Sequence, residues 1–202
     1  TLEYTTIFNI GHTKDQVWHS ATFGTSFDDV PIVLTHIQTN LGGEPAALRL
    51  RNLTSNGLDL KIEEDRCLDT ESNHLEEEVG YLALDAGILP NSDGQAIGEA
   101  GTLQAESSGS SEWHSLSFQQ SYSHPVVRMQ LVTTDDEAPA HVRLRNVTGS
   151  SAEYQIEEWD CDDGAHGQET LQYVVVEAGD HTLAGNVRLV AGKHDGPGLV
   201  KY

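Results

Sequence analysis

The chain has 202 residues and a formal net charge of -21, with 32 Asp and Glu against 11 Lys and Arg. That balance excludes the basic stripe that nucleic acid or an anionic membrane surface requires, and no apolar run approaches the length needed to cross a bilayer. Self-repulsion of this size is relieved where salt screens it, so a saline source and an ordinary acidic secreted protein both fit the composition.

In chain order, period-two patterning dominates. A short strand is expected around residues 21–23, and Pro31 opens another over residues 32–39. Leu48 and Leu50 then alternate with Arg49 and Arg51, and Leu58, Leu60 and Ile62 alternate with Asp59, Lys61 and Glu63. This is a hairpin with one buried and one wet face. Placing Leu50 and Ile62 opposite each other on the buried face selects a three-residue loop, Ser55-Asn56-Gly57, with Gly57 left-handed. Arg49 then faces Glu63 and Arg51 faces Lys61 on the exposed face. Residues 75–79 are a weak helix candidate, residues 81–85 a closing strand, and residues 88–95, rich in Pro, Gly, Asn and Ser, a turn-like connection.

The second half repeats the first. Leu48-Arg49-Leu50-Arg51-Asn52-Leu53-Thr54 returns as Val142-Arg143-Leu144-Arg145-Asn146-Val147-Thr148, Trp18-His19-Ser20 as Trp113-His114-Ser115, and Cys67 as Cys161. The offset drifts from 95 residues at the tryptophans (18 to 113) to 92 at the closing glycines (87 to 179). Solenoid repeats usually run about 20–50 residues, whereas a unit near 90 is long enough to enclose its own core. The expected architecture is all-β: two tandem antiparallel β-sandwiches of about six or seven strands each. They occupy residues 1–94 and 95–179, and residues 180–202 form an extension echoing the start of a third copy. With no initiator Met and no signal sequence at Thr1, the chain reads as a processed piece of something longer.

Cys67 and Cys161 hold equivalent places, so a pseudo-twofold packing would bring them together as one disulfide; two free buried thiols are the alternative.

The layout resembles the H-type lectin domain, a six-stranded antiparallel β-sandwich. The matching features are Trp18 with Ala21 and Phe23 and Trp113 with Leu116 and Phe118, then Phe27, Pro31 and Val33 and Tyr122, Pro125 and Val127. The Arg-bearing strand with its Gly turn follows, then the strand ending at Glu64-Asp65 or Glu158-Trp159, and the closing strands from Tyr81 and Tyr173. The resemblance implies oligomers, typically trimers, and N-acetylgalactosamine-type sugars held between subunits, partly by a Trp-His pair. Here Trp159 is followed by Asp160, which departs from that pattern.

Several candidate sites follow. Trp159, Asp160, Asp162, Asp163 and His166, with Arg66, Asp69 and His74 in copy 1, offer an aromatic platform and a small polar set for a sugar. The plainer reading is a Trp capping a sheet edge above a solvated acidic loop. Asp160, Asp162 and Asp163 are also an alternative Ca2+ site, although an EF-hand pattern is missing. The Glu63-Glu64 and Glu157-Glu158 pairs suggest glycosidase carboxylates, but adjacent strand residues point to opposite faces and cannot converge. Trp18 and Trp113 read as sugar-stacking platforms or as lids on the core. Asn52-Leu53-Thr54 and Asn146-Val147-Thr148 are sequons whose residues also suit turns.

The expected function is therefore that of a non-catalytic, carbohydrate-binding, lectin-like tandem module of a secreted or cell-surface protein. It needs no cofactor apart from the Ca2+ alternative. Its partner is a glycan or polysaccharide, with no nucleic acid and no membrane insertion, and the resemblance adds a homo-oligomer. The alternatives are a structural or adhesive spacer repeat and an accessory domain of a polysaccharide-degrading enzyme.

Overall fold

The computed structural model describes residues 1–12, 17–65, 67 and 73–193. Fifteen strands are formed among them, with one 3-10 turn at Ala184–Asn186 and no helix long and apolar enough to cross a membrane.

Each copy is a pair of antiparallel sheets, three-stranded except for one sheet of copy 2 that gains a fourth strand from the connection, because its alternating segments have one apolar face to bury. In copy 1, β1 (Leu2–His12), β6 (His74–Leu84) and β3 (Ile32–Ile37) form one sheet. β2 (His19–Thr22), β5 (Gly57–Glu64) and β4 (Ala46–Thr54) form the other. Between them lie Phe23, Phe27, Val33, Leu50, Leu60, Ile62, Val79 and Tyr81.

Copy 2 repeats the arrangement with β8 (Ala96–Ser107), β13 (His166–Glu177) and β10 (Pro125–Leu131) against β9 (His114–Ser117), β12 (Ser151–Glu158) and β11 (Ala140–Arg145). The connection over residues 88–95 is partly strand: β7 (Gly87–Pro90) pairs with the start of β8. The extension forms the corresponding hairpin, β14 (Gly179–Thr182) with β15 (Arg188–Ala191). Leu189 and Ala191 pack on an apolar seam between the copies that includes Ile32, Leu84, Val174 and Val176.

Five expectations are corrected. Residues 75–79 lie in β6, because backbone pairing to β1 (Ile10 with Glu77, Ile7 with Val79) holds them extended and buries Val79, whatever the local propensity. The hairpin pairs Leu50 with Leu60 and Leu48 with Ile62, so the parity holds but the register moves by two residues. The cause is a bulge between Arg51 and Thr54, where Asn52 takes the left-handed backbone (φ 51°), and Asn146 does the same in copy 2 (φ 47°). Gly57 instead pairs with Thr54 around a two-residue turn, and a Cβ there would meet the Ala21 carbonyl oxygen at 2.2 Å.

The Arg–Glu pairs survive as diagonal neighbours, Arg49 Nη1 to Glu63 Oε2 at 3.1 Å and Arg143 Nη1 to Glu157 Oε1 at 2.6 Å. Arg49 and Glu63, however, are buried rather than exposed. Finally, copy 1 does not close its core alone, since Val132 of copy 2 belongs to the copy 1 core.

Candidate functional site

The densest cluster of buried ionisable groups is a duplicated Glu–His–Glu relay. Glu158 ends β12 and His166 begins β13; His166 Nδ1 lies 2.9 Å from Glu158 Oε1, and its Nε2 lies 3.4 Å from Glu169 Oε1. Copy 1 repeats this with His74 Nδ1 2.7 Å from Glu64 Oε1 and Nε2 3.4 Å from Glu77 Oε1. All six side chains are buried.

Strand alternation would put residues three apart on opposite faces, but register shifts in β6 and β13 near these residues bring each His and Glu together. Each outer Glu then holds a loop. Glu77 accepts from Leu41 N, Gly42 N and the Thr39 hydroxyl, and Glu169 accepts from Asp135 N, Asp136 N and the Thr133 hydroxyl.

Burial would lower the His166 pKa, but hydrogen bonding to Glu169 and Glu158 and the nearby Asp136 charge raise it above the ordinary histidine value. Burial would likewise raise Glu169 and Glu77, and their hydrogen bonds instead hold both below the ordinary carboxylate value. In copy 2 these directions favour the charged imidazole between carboxylates, and the contacts tie β12 and β13 to the loop before β11.

His166 and His74 are accordingly not offered to a ligand on the loop surface, which corrects their place in the sugar platform. Arg66 and Asp69 lie outside the described residues. Asp160 and Asp163 are exposed, and Asp163 Oδ1 accepts from Ala165 N in a local turn. Trp159 is half-buried, its ring 5.8 Å from that of His141, and its Nε1 is buried with no acceptor among the described residues.

Among the described residues the one group whose ligand atoms cluster within 4.8 Å is Asp136, Glu158 and His166, not the three aspartates 160, 162 and 163. Its oxygens already serve the protein: Asp136 accepts from Ala138 N and Gly167 N, and Glu158 from Gly164 N. Cys67 and Cys161 are disulfide-bonded, with Cα atoms 5.4 Å apart.

Trp18 and Trp113 are covered by cations. The Arg51 guanidinium carbon lies 4.1 Å from the Trp18 ring centre, and that of Arg145 lies 3.9 Å from Trp113. Glu63 is bound to Arg49 and Lys61, and Glu64 to His74, so neither pair converges on open space.

The two copies meet through specific polar contacts. Arg49 donates to the Asp136 and Ala138 carbonyls, both at 2.7 Å, and Thr134 donates to the Leu50 carbonyl at 2.8 Å. The Gln172 carboxamide bridges Val33 N and the Pro31 carbonyl, and Gln130 bridges Thr35 N and its hydroxyl. Beside them a cleft of about 320 Å³ runs between β3 and β4 on one side and β10 and β11 on the other, lined by His36, Ala47, Arg128 and His141 among others.

The relay and the interface were not among the sequence candidates. The relay could have been found from the repeat itself, since His74 with Glu77 recurs as His166 with Glu169 at the same spacing.

No known protein family matches the chain, and no solved structure matches it. It is similar to a stretch of halomucin from Haloquadratum walsbyi, with 28% identity over 177 residues. The match covers 83% of this chain and 2% of halomucin, so the likeness is to one small part of a very long protein.

Proposed function

We infer that this chain is a non-catalytic, two-module structural unit of a large extracellular protein that works in salt. The carrying observation is the buried Arg49, which joins Glu63 of its own copy to two carbonyls of the other and so fixes one module on the next. Support also comes from the intermodule disulfide, a feature of oxidising compartments. The acidic surface and the likeness to part of halomucin agree with a saline setting outside the cell. Most side chains that suggested recognition hold the fold: both histidines, the Trp18 and Trp113 faces and the paired glutamates. A glycan array probed in molar salt, with and without Ca2+, tests this. Silence is expected, and saturable binding would overturn it.

The second reading is the lectin. It is favoured by Trp159, whose Nε1 lacks an acceptor among the described residues and whose ring lies beside His141 at the intermodule cleft. The six strands per copy agree with the H-type lectin layout. A glycan that shifts tryptophan fluorescence in the native chain but not in Trp159→Phe would establish it.

A further inference from the structure

The two modules face each other about a pseudo-twofold axis. Cys67 is bonded to its own counterpart, Cys161, and the intermodule cleft is lined by Thr35, His36 and Ala47 on one side and by their counterparts Met129, Gln130 and His141 on the other. A twofold contact makes each bond twice. Here the Gln172 contact is made once. The Gln172 carboxamide of copy 2 accepts from Val33 N and donates to the Pro31 carbonyl. Its counterpart in copy 1 is Gly80, which has no side chain to return the contact to Pro125 and Val127.

A furrow of about 460 Å³ stands at Gly80, continuous with the cleft through Thr35, His36 and Arg128. Copy 1 borders it with Leu34, Leu82, His36 and Gln38, and copy 2 with Arg128. The Thr6 hydroxyl donates to Gln38 Oε1, and the Gln38 amide nitrogen lies over Gly80 with no acceptor among the described residues.

The charge of this furrow is opposite to that of the protein. Asp and Glu account for 32 of the 202 residues, yet none borders the furrow or the cleft. Arg49, Arg51, Arg143, Arg145 and Arg188 are each paired with a carboxylate. Arg128 is the described arginine left without one among the described residues, and it is exposed. The net charge of -21 repels anions over the whole surface at low ionic strength. At about 1 M salt, screening confines each charge to about 3 Å, so the groups bordering the furrow decide what an anion meets there.

We propose that this furrow is a binding site for a small inorganic anion, chloride or sulfate, held by the Arg128 guanidinium of copy 2 and the Gln38 amide of copy 1. Arg128 supplies the charge and a fork of N–H donors, Gln38 an N–H over Gly80, and His36 a further ring N–H. The bound anion joins the modules on the side where Gly80 leaves them apart, as the Gln172 side chain joins them on the other. The inference deepens the structural reading above by naming the component of salt that acts on the interface, and it rests on that reading for its saline setting. Glycan binding would overturn that reading without touching Arg128, and the anion titration reads Arg128 alone, so the two fail separately.

The test uses the full chain at one high ionic strength, with chloride or sulfate progressively replacing tetrafluoroborate, an anion that accepts hydrogen bonds poorly. An arginine-selective dicarbonyl is applied and modification is read by mass spectrometry. Arg128 should react in tetrafluoroborate and become protected along a saturating curve as chloride or sulfate is added, its rate falling about tenfold at about ten times the dissociation constant. Arg145, exposed but paired with Glu153, should show no such curve. The separate titrations tell which anion the furrow takes, and saturable protection by either supports the proposal. Arg128 equally reactive throughout overturns it.

Two variants separate the site from the side chain. Gly80→Gln gives copy 1 the residue that copy 2 carries at this place, and only the carboxamide end of Gln38 stands where the new Cβ would go. The furrow is then occupied, and protection of Arg128 by the anion should be lost. Arg128→Gln removes the charge from an exposed position, and the saturable rise of the thermal midpoint with chloride or sulfate expected of the native chain should disappear. Undiminished protection in Gly80→Gln, or an unchanged rise in Arg128→Gln, would overturn the assignment.

Discussion

The imidazole of His166 stands 2.9 Å from the Glu158 carboxylate, sealed from solvent and backed by Glu169 on its far side. An equivalent triad in copy 1 makes this a feature of the module rather than of one loop. Removing one partner of a buried ion pair leaves the others uncompensated, which typically costs about 3–5 kcal/mol. His166→Ala should therefore destabilise copy 2 by roughly that amount in chemical denaturation, whereas replacing the exposed His124 should change little.

The same triad sets a pH dependence. The folded pKa of His166 is raised above its ordinary 6.5. Its contribution is therefore complete below about pH 6.5 and is lost as pH climbs through the folded value. Glu169 and Glu77 are held below their ordinary 4.5, so their contribution is complete above that value and is lost as pH falls through their folded pKa values. Thermal midpoints measured across pH should fall on both sides, and His166→Gln should flatten the alkaline limb. An unchanged alkaline limb in that variant would remove His166 from the account.

Arg49 and Arg143 should respond differently to the same change. Arg49→Ala leaves Glu63 buried beside Lys61 and frees two carbonyls, a loss of about 3–5 kcal/mol. Arg143→Ala removes an exposed pair worth about 0–1 kcal/mol. Paired urea titrations at high salt would decide, and equal losses would contradict the burial described here.

The disulfide closes a separation of 94 residues. Chain entropy for a loop of that size gives up to about 4–5 kcal/mol, less whatever structure the reduced chain retains. The double change Cys67→Ser and Cys161→Ser should lower stability by an amount within that bound while both sandwiches keep their far-ultraviolet spectrum.

Arg145 over Trp113 and Arg51 over Trp18 should each contribute about 0.5–1 kcal/mol as exposed cation–π pairs. Arg145→Gln should also change the Trp113 emission, a direct optical check on whether the guanidinium covers the ring.

The duplication, the strand positions and the buried parity of the hairpin were legible because they depend on patterns within one segment. The register was not, because it turns on a single left-handed asparagine, Asn52, in place of the glycine that turn chemistry favours. Equivalence of the two cysteines leaves a disulfide across a pseudo-twofold packing and two free thiols both open, and it is the packing that bonds them. The burial of Arg49 was not legible, since the carbonyls that receive it come from a loop about 90 residues away that copy 1 cannot announce. Strict alternation hides what a bulge brings together, so the sequence offers His74 and His166 as surface ligands although both are buried. Trp159 is half-buried beside His141, and its indole N–H has no acceptor among the described residues.

Val132 carries a consequence for biosynthesis. Its isopropyl group completes the interior of the earlier repeat, so the segment translated first stays unfinished until residue 132 has left the ribosome. The repeat made first is thus completed by the repeat made second.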